Sequence, residues 1–317
     1  VEKIKKYIES LNEQPQNINF DRLSFALIDF ARQESHFIHL NAQSEKCIYD
    51  LASLAKPLLL GFYFLKNSQE LGPEYKLLLN HQGGCAAHEI LDKKNWREKL
   101  LNFSVKDSPT VYSDLGYLSL MLKIEREKGR TLKDLVNEVF TQGLVFWKDL
   151  KNPQQCAMTG WRNQKPIQGQ IHDENAFQLD SFVPHTGLFG SLESLSATLL
   201  WMDEKYDLLA HQKKHLLAAN SGQRFINGWD RVQDVSLTLA GANASLMTFG
   251  HLGFTGTSIW INPEKKCGYV LLTNATQNDA NNKQSDKTII NKIRRELGGL
   301  YWSFIFEHGP DTAIIKS

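Results

Sequence analysis

The chain has 317 residues, more than one small domain needs, fewer than three would use, and enough to bury a large core. Hydrophobic residues make up 42% and charged residues 22%, the balance of an ordinary globular protein. Its 36 basic and 35 acidic residues give a net charge of +1, which offers nothing to nucleic acid or an anionic membrane, and no run of 18 apolar residues is present to span a bilayer.

The chain opens on VEKIKKYIESLNEQ, where Val1, Ile4, Tyr7, Ile8 and Leu11 recur at helical spacing. An amphipathic helix is expected over 2–12, without the apolar stretch of an export signal. Strands are expected at Leu23–Phe30 and His36–Leu40, with ARQES as the turn between them. Asp50–Lys66 reads as a buried helix that starts near Ala52 or bends at Pro57, since proline is well tolerated only in a first turn. From about 67 to 182 the pattern is mixed, with helical stretches at Leu118–Lys128 and Leu132–Phe140 among loops rich in Asn, Gln, Gly and Lys.

A helix at Leu192–Met202 precedes strand-like runs at Ser236–Ala240, Ser245–Phe249, Thr257–Ile261 and Gly268–Thr273. Asn262-Pro263-Glu264-Lys265-Lys266 forms the hairpin turn between the last two. A final helix is expected over Lys287–Phe306, with Ile289, Ile290, Ile293, Leu297 and Leu300 on one stripe. The implied fold class is α/β (α+β): an antiparallel sheet flanked by N- and C-terminal helices, plus a mostly helical lobe. Residues 1–66 and 183–317 form the discontinuous sheet domain, and 67–182 form the inserted lobe. The crevice between them is the natural place for a site.

Three segments carry chemistry. In Ser53-Leu54-Ala55-Lys56 the serine and lysine share a helix face, so the amine reaches the hydroxyl and can take its proton if burial lowers the amine's pKa. The match alone is weak, since about one S-x-x-K is expected by chance in a chain this long; taken alone, a serine cap followed by an exposed lysine is the favoured reading. In Tyr112-Ser113-Asp114 the phenol can shuttle a proton between nucleophile and leaving group, while Ser113 or Asp114 can simply cap the helix that follows. In His251-Leu252-Gly253-Phe254-Thr255-Gly256 the glycines admit a substrate backbone, and a backbone N–H can serve as half of an oxyanion hole; a plain glycine-rich turn is the alternative.

Taken together and in this order, the three segments resemble the SxxK, YxN and KTG-type motifs of serine β-lactamases and penicillin-binding proteins. The resemblance is closest to the class C β-lactamase-like branch, which includes D,D-peptidases and esterases. Tyr49-Asp50-Leu51-Ala52 is similar to that branch's lead-in to the nucleophile. Gln170–Ala176 resembles its VHDENA segment, His185–Gly190 its HAGLFS segment, and Leu79–Gly84, more distantly, its LLTHTSGL stretch. The resemblance runs over about 45–275.

The resemblance implies roles. Ser53 attacks a carbonyl to form an acyl-enzyme, and Lys56 and Tyr112 share the acid–base work. The N–H groups of Ser53 and Phe254 bind the oxyanion, and His251 stands in place of the KTG-type lysine. Asp114, His251, Leu252 and Gly253 contact substrate. No metal and no organic cofactor is implied. Three departures weigh against an efficient β-lactamase. Asp114 replaces the usual asparagine and loses an amide donor, and Leu252 replaces the usual threonine and loses a hydroxyl, worth about 1–3 kcal/mol. Gln82-Gly83-Gly84-Cys85 alters the SGL-like segment. The expected activity is hydrolysis of an ester or amide, including a D-alanyl peptide or other cell-wall (peptidoglycan-derived) fragment. The rival is a catalytically decayed ligand-binding or sensing module on the same fold.

Other clusters read as structural. His88-Glu89 lacks a zincin partner, as Asp92 holds the later position; His211 and His215 lie on a helix face with Lys213 and Lys214 between them; His172-Asp173-Glu174 reads, by resemblance, as a loop near the cleft. Trp161, Trp201, Trp229 and Trp260 are expected to pack. Cys47, Cys85, Cys156 and Cys267 show no CxxC pairing and read as free thiols. With no leader visible, they favour a cytoplasmic location; removal of an export signal would make it periplasmic. The sequence leaves the oligomeric state open.

Overall fold

Leu23–Asp29 (β1) is an apolar run buried at every position, the pattern of a strand covered on both faces. Its side chains alternate between two cores: Leu23, Phe25 and Leu27 join one, Ala26 and Ile28 the other. The computed structural model describes residues 1–67, 72–279 and 287–308.

β1 pairs with Glu34–His39 (β2), and Tyr49–Asp50 (β3) follows. Val145–Phe146 (β4), Met158–Arg162 (β5) and Lys165–Gln168 (β6) lie in the middle of the chain, then Leu188–Gly190 (β7). Phe225–Ile226 (β8), Trp229–Arg231 (β9), Phe249–Leu252 (β10), Ser258–Asn262 (β11) and Cys267–Thr273 (β12) complete the set. The main sheet has seven strands in the order β2-β1-β12-β11-β10-β9-β8 and is antiparallel throughout. β3, β7 and β4 form a small second sheet, and β5–β6 a separate hairpin.

The terminal helices Glu2–Glu13 and Thr288–His308 pack together over one face of the main sheet. The helix Leu192–Tyr206 covers the other, against β1, β2 and β12. None of the strands described between residues 72 and 182 joins the main sheet, and that stretch holds β4 and the β5–β6 hairpin as well as helices. The Asn163-Gln164 turn of that hairpin puts two non-glycine residues at positive φ (50° and 63°), so the usual Asn-Gly signal is missing.

Two expected strands are turns. In Ser236–Ala240 the Asp234 carboxylate accepts the N–H and hydroxyl of Ser236, at 2.8 and 2.6 Å, and bends the chain. Ser245–Thr248 closes through Thr248 N–H to Ser245 O at 2.9 Å, so β10 begins only at Phe249. The strands that fill the sheet edge are β8 and β9, turned at Asn227-Gly228 with φ 52° and 84°, a hairpin signal present in the sequence. The stretch from Asp50 to Lys66 is also subdivided. Asp50 ends β3, Ala52–Leu54 is a 3₁₀ turn, Pro57–Gly61 is a π-helical turn, and Phe62–Lys66 is α-helical. Pro57 has no N–H to continue the α pattern and sits at the first position of the wider turn.

Candidate active site

The turn that carries Ser53 is held from outside. Ala52 lies in the left-handed region at φ 47°, costly for a side chain with a Cβ. Asp50 compensates: its Oδ1 accepts the Ala52 N–H at 2.9 Å and its Oδ2 the His172 N–H at 2.9 Å. Burial drives the Asp50 carboxyl up to about 6, against these two hydrogen bonds. Leu54 N–H is taken by Leu51 O, so the Ser53 N–H has no acceptor among the described residues.

Lys56 follows where the 3₁₀ turn runs on into the π-helical turn, and its Nζ lies 3.1 Å from Ser53 Oγ. Lys56 is wholly buried; its ammonium also reaches His185 O at 3.4 Å and Asp114 Oδ1 at 2.6 Å. Burial disfavours the ammonium, but the charge of Asp114 and the proximity of Tyr112 outweigh it, so the Lys56 pKa is raised. Burial would raise Asp114 as well, and the Lys56 charge reverses that and holds the carboxyl well below its usual range. The condition under which Lys56 acts as a base, a lowered pKa, is opposed by Asp114, which favours the charged amine.

Tyr112 comes from the far side of the cleft, in extended chain just before the helix Asp114–Lys128. Tyr112 lines the cleft with Ser53, and burial raises the pKa of its phenol despite the adjacent Lys56 ammonium. Its ring packs on His81 at 4.5 Å and Phe225 at 5.7 Å, and the Lys56 ammonium lies 4.7 Å from its centroid. Ser113 occupies the N-cap position, but its hydroxyl donates to Ala86 O at 2.6 Å instead of capping.

The segment after β10 is strapped to the Ser53 turn. Thr255 Oγ1 donates to Asp50 O at 2.8 Å and Thr257 Oγ1 to Leu51 O at 3.2 Å. A Cβ on Gly253 would meet Thr257 Oγ1 at 1.9 Å and Leu51 O at 2.8 Å, so only glycine fits this approach. Arg294, buried on the last helix, donates to Gly253 O at 2.8 Å and Thr257 O at 2.9 Å and holds the strap from behind. Phe254 N–H, like that of Ser53, has no acceptor among the described residues.

The β-lactamase family model matches residues 73–291, which include Tyr112–Asp114 and His251–Phe254 and begin after the Ser53 turn. The chain belongs to the β-lactamase family.

Among curated relatives it is 30% identical over 193 residues to an N-acetylmuramyl-L-alanine amidase of Bacillus subtilis (strain 168), covering 52% of this chain and 44% of the relative. It is 26% identical over 224 residues to a putative D-alanyl-D-alanine carboxypeptidase of Escherichia coli (strain K12), covering 62% of this chain and 52% of the relative. The matches span about half the length of these relatives. Among solved structures, a class C β-lactamase superposes with a TM-score of 0.63 at 13% identity, covering 96% of this chain and 98% of that one. Simvastatin synthase from Aspergillus terreus superposes with a TM-score of 0.64 at 13% identity, over 97% and 98%. At these identities the likeness is one of fold. It is the β-lactamase fold, a mixed antiparallel sheet and helices.

The remaining motif residues of this β-lactamase-family protein divide between two walls of the cleft. His251 and Leu252 lie with Tyr112, Arg224, Phe225, Gly253 and Lys287 on one side. His251 is buried and its pKa falls to about 3, first by burial and then by the Lys56 charge. Its Nδ1 lies 2.9 Å from Leu252 O, which assigns the ring proton to Nδ1 and leaves Nε2 as a buried acceptor. Its imidazole is therefore held in the neutral form. Leu252 packs partly against the core under the terminal helices.

On the other wall Ser53, Asp114, His172, Asp173, His185 and Phe254 line a cleft of about 450 Å³. His172 sits at this wall, as the loop reading expected, and its pKa falls to about 4 through burial. Phe254 is 46% exposed, with the Lys287 ammonium 3.7 Å from its ring centroid. His211 and His215 stack on each other at 4.6 Å, away from this cleft. The four cysteines are unpaired and buried.

Several residues at the site carried no role in the sequence reading. His81 accepts the Ser113 N–H at 3.0 Å through Nδ1 and stacks on Tyr112, so it fixes the phenol's approach. Its place in the LLTHTSGL-like stretch was the available signal. Asp50 and His185 likewise lay in the resembling segments. Arg294 and Lys287 left no local signal, because they reach the segment around Gly253 and Phe254 from the last helix and the residue before it.

Proposed function

We propose that this chain is a serine hydrolase that cleaves an amide or ester through an acyl-enzyme on Ser53. The observation that carries the reading is Lys56 Nζ at 3.1 Å from Ser53 Oγ and 4.7 Å from the centroid of the Tyr112 ring, which lines the cleft with Ser53. A hydroxyl flanked by an amine and a phenol can lose its proton as its oxygen attacks. The Ser53 Oγ–carbonyl bond forms while the Oγ proton passes to the Lys56–Tyr112 pair. The N–H groups of Ser53 and Phe254, both without acceptors among the described residues, take the oxyanion. The leaving group departs with a proton returned through Tyr112, and water then releases the acyl group by the same relay.

The competent form is the one in which the Lys56–Tyr112 pair has given up a proton. Asp114 opposes that loss, so turnover should climb with pH. For substrate we favour a D-alanyl peptide or another peptidoglycan-derived fragment, because the two relatives are named for amide chemistry at alanine. Weak or absent β-lactamase activity is expected, since Leu252 offers no hydroxyl to a substrate carboxylate and Asp114 adds a negative charge beside it.

The test is labelling with a fluorophosphonate and hydrolysis of p-nitrophenyl acetate and nitrocefin, for wild type and Ser53→Ala. Ester turnover and a Ser53 adduct that both vanish in the variant support the reading. Folded wild type that leaves Ser53 unlabelled, yet still binds D-alanyl peptides, would favour the decayed binding module.

A further inference from the structure

We propose that Asp114, Asp173 and His185 form a binding site for a first-row divalent metal ion, with Zn²⁺ as its fitting occupant, on the cleft wall beside Ser53. One donor atom from each lies within 4.8 Å of the other two. The residues come from three places: the start of the helix Asp114–Lys128, the cap of the helix Glu174–Leu179, and the loop before β7. The same cleft holds all three and Ser53.

Two carboxylates alone would mean little, and His185 is what points to a ligand. It is 2% exposed, its Nδ1 is buried without a partner, and its ring has no hydrogen bond among the described residues. Buried polar groups in folded proteins are nearly always paired, and imidazole is the commonest protein ligand for a metal. Its backbone carbonyl serves Lys56, so the residue is fixed in place while its ring remains available.

The carboxylates retain capacity too. Asp173 Oδ1 accepts the Ala176 N–H at 2.7 Å, which leaves its second oxygen. Asp114 gives Oδ1 to Lys56, which leaves its Oδ2. One imidazole nitrogen and two carboxylate oxygens suit Zn²⁺, and three protein ligands leave a fourth position open to water or a substrate oxygen. Ca²⁺ and Mg²⁺ prefer six or more oxygens, which this wall does not supply. The inference does not depend on the acyl-enzyme chemistry of Ser53.

The test uses the full chain, stripped with a chelator. Zn²⁺ binding is followed by calorimetry, and metal content is read by mass spectrometry after gel filtration. One Zn²⁺ per chain is expected, with Mg²⁺ far weaker. Asp173→Asn preserves the helix cap and His185→Gln preserves a polar side chain. Each should weaken Zn²⁺ binding about 100-fold, at least the cost of losing an outer-shell partner, with circular dichroism unchanged. Ser53→Ala should bind Zn²⁺ as wild type does. Wild type that takes up no Zn²⁺ would overturn the proposal. So would undiminished binding in both folded variants, which would place the ion elsewhere, for example on cysteine. Mg²⁺ bound as tightly as Zn²⁺ would overturn the choice of metal.

Discussion

Asp114 Oδ1 lies 2.6 Å from Lys56 Nζ, nearer than Ser53 Oγ at 3.1 Å, so the lysine's first partner is a carboxylate and the nucleophile comes second. The pair stabilises the charged amine and thereby withholds the base that attack on a carbonyl requires.

Asp114→Asn should release that hold. An amide keeps an acceptor near Lys56 but removes the negative charge that raises its pKa, so burial then dominates and the pKa falls. The neutral amine becomes more abundant at neutral pH. The rising limb of kcat/KM against pH, measured with a p-nitrophenyl ester, should move to lower pH, and the rate at pH 7 should increase. An unmoved limb would show that Asp114 does not control the titrating group.

Tyr112→Phe separates the phenol's chemistry from its packing. The ring rests on His81 and Phe225, and phenylalanine keeps those contacts. Only the hydroxyl is lost. The expected drop in kcat is about 100-fold or more, the size of a lost proton relay, with Tm nearly unchanged. Full activity in the variant would remove Tyr112 from the relay.

Much of this was legible from residue order alone. The strand at β1 and the Asn262–Lys266 turn needed only local pattern, whereas the grouping of Ser53, Lys56 and Tyr112 came from the resemblance of several ordered motifs to one family. What escaped was set by tertiary contacts. The Ser236–Ala240 run is strand-like in composition, yet Asp234 offers its backbone a closer partner than a neighbouring strand does. The positive φ of Ala52 carries no composition signal, since alanine is a strong helix former held here by Asp50. The charge state of Lys56 stays open in the sequence because burial and a facing carboxylate act in opposite senses, and only a distance decides which prevails.

Gly253→Ala tests the strap. The added methyl would overlap Thr257 Oγ1 and the Leu51 carbonyl, and the segment carrying Phe254 would have to move off the Ser53 turn. The overpacking should cost about 1–3 kcal/mol of stability, read as a lower denaturation midpoint. Because the two proposed oxyanion donors would separate, kcat should fall more steeply than stability at temperatures where the variant is fully folded. A variant with normal kcat would show that Phe254 N–H is not needed by the reaction.

Asp50 makes a prediction in the pH dependence of folding. Its carboxyl titrates near 3.8 as a free side chain and at about 6 in the folded protein, chiefly through burial. A raised acid holds its proton longer in the native state, so the native state binds more protons than the unfolded chain between those two values. Stability from this group is therefore greatest below about pH 4 and declines as pH rises to about 6, by roughly 2–3 kcal/mol. Asp50→Asn does not titrate, but its amide turns an N–H donor toward either Ala52 or His172 and costs one hydrogen bond at every pH. In urea unfolding the wild type's advantage over the variant should be largest near pH 4 and shrink by pH 6. A gap that stays constant across that range would mean the carboxyl is not shifted. Loss of kcat in Asp50→Asn without a change in Lys56 titration would place the effect on the Ala52 turn that presents Ser53.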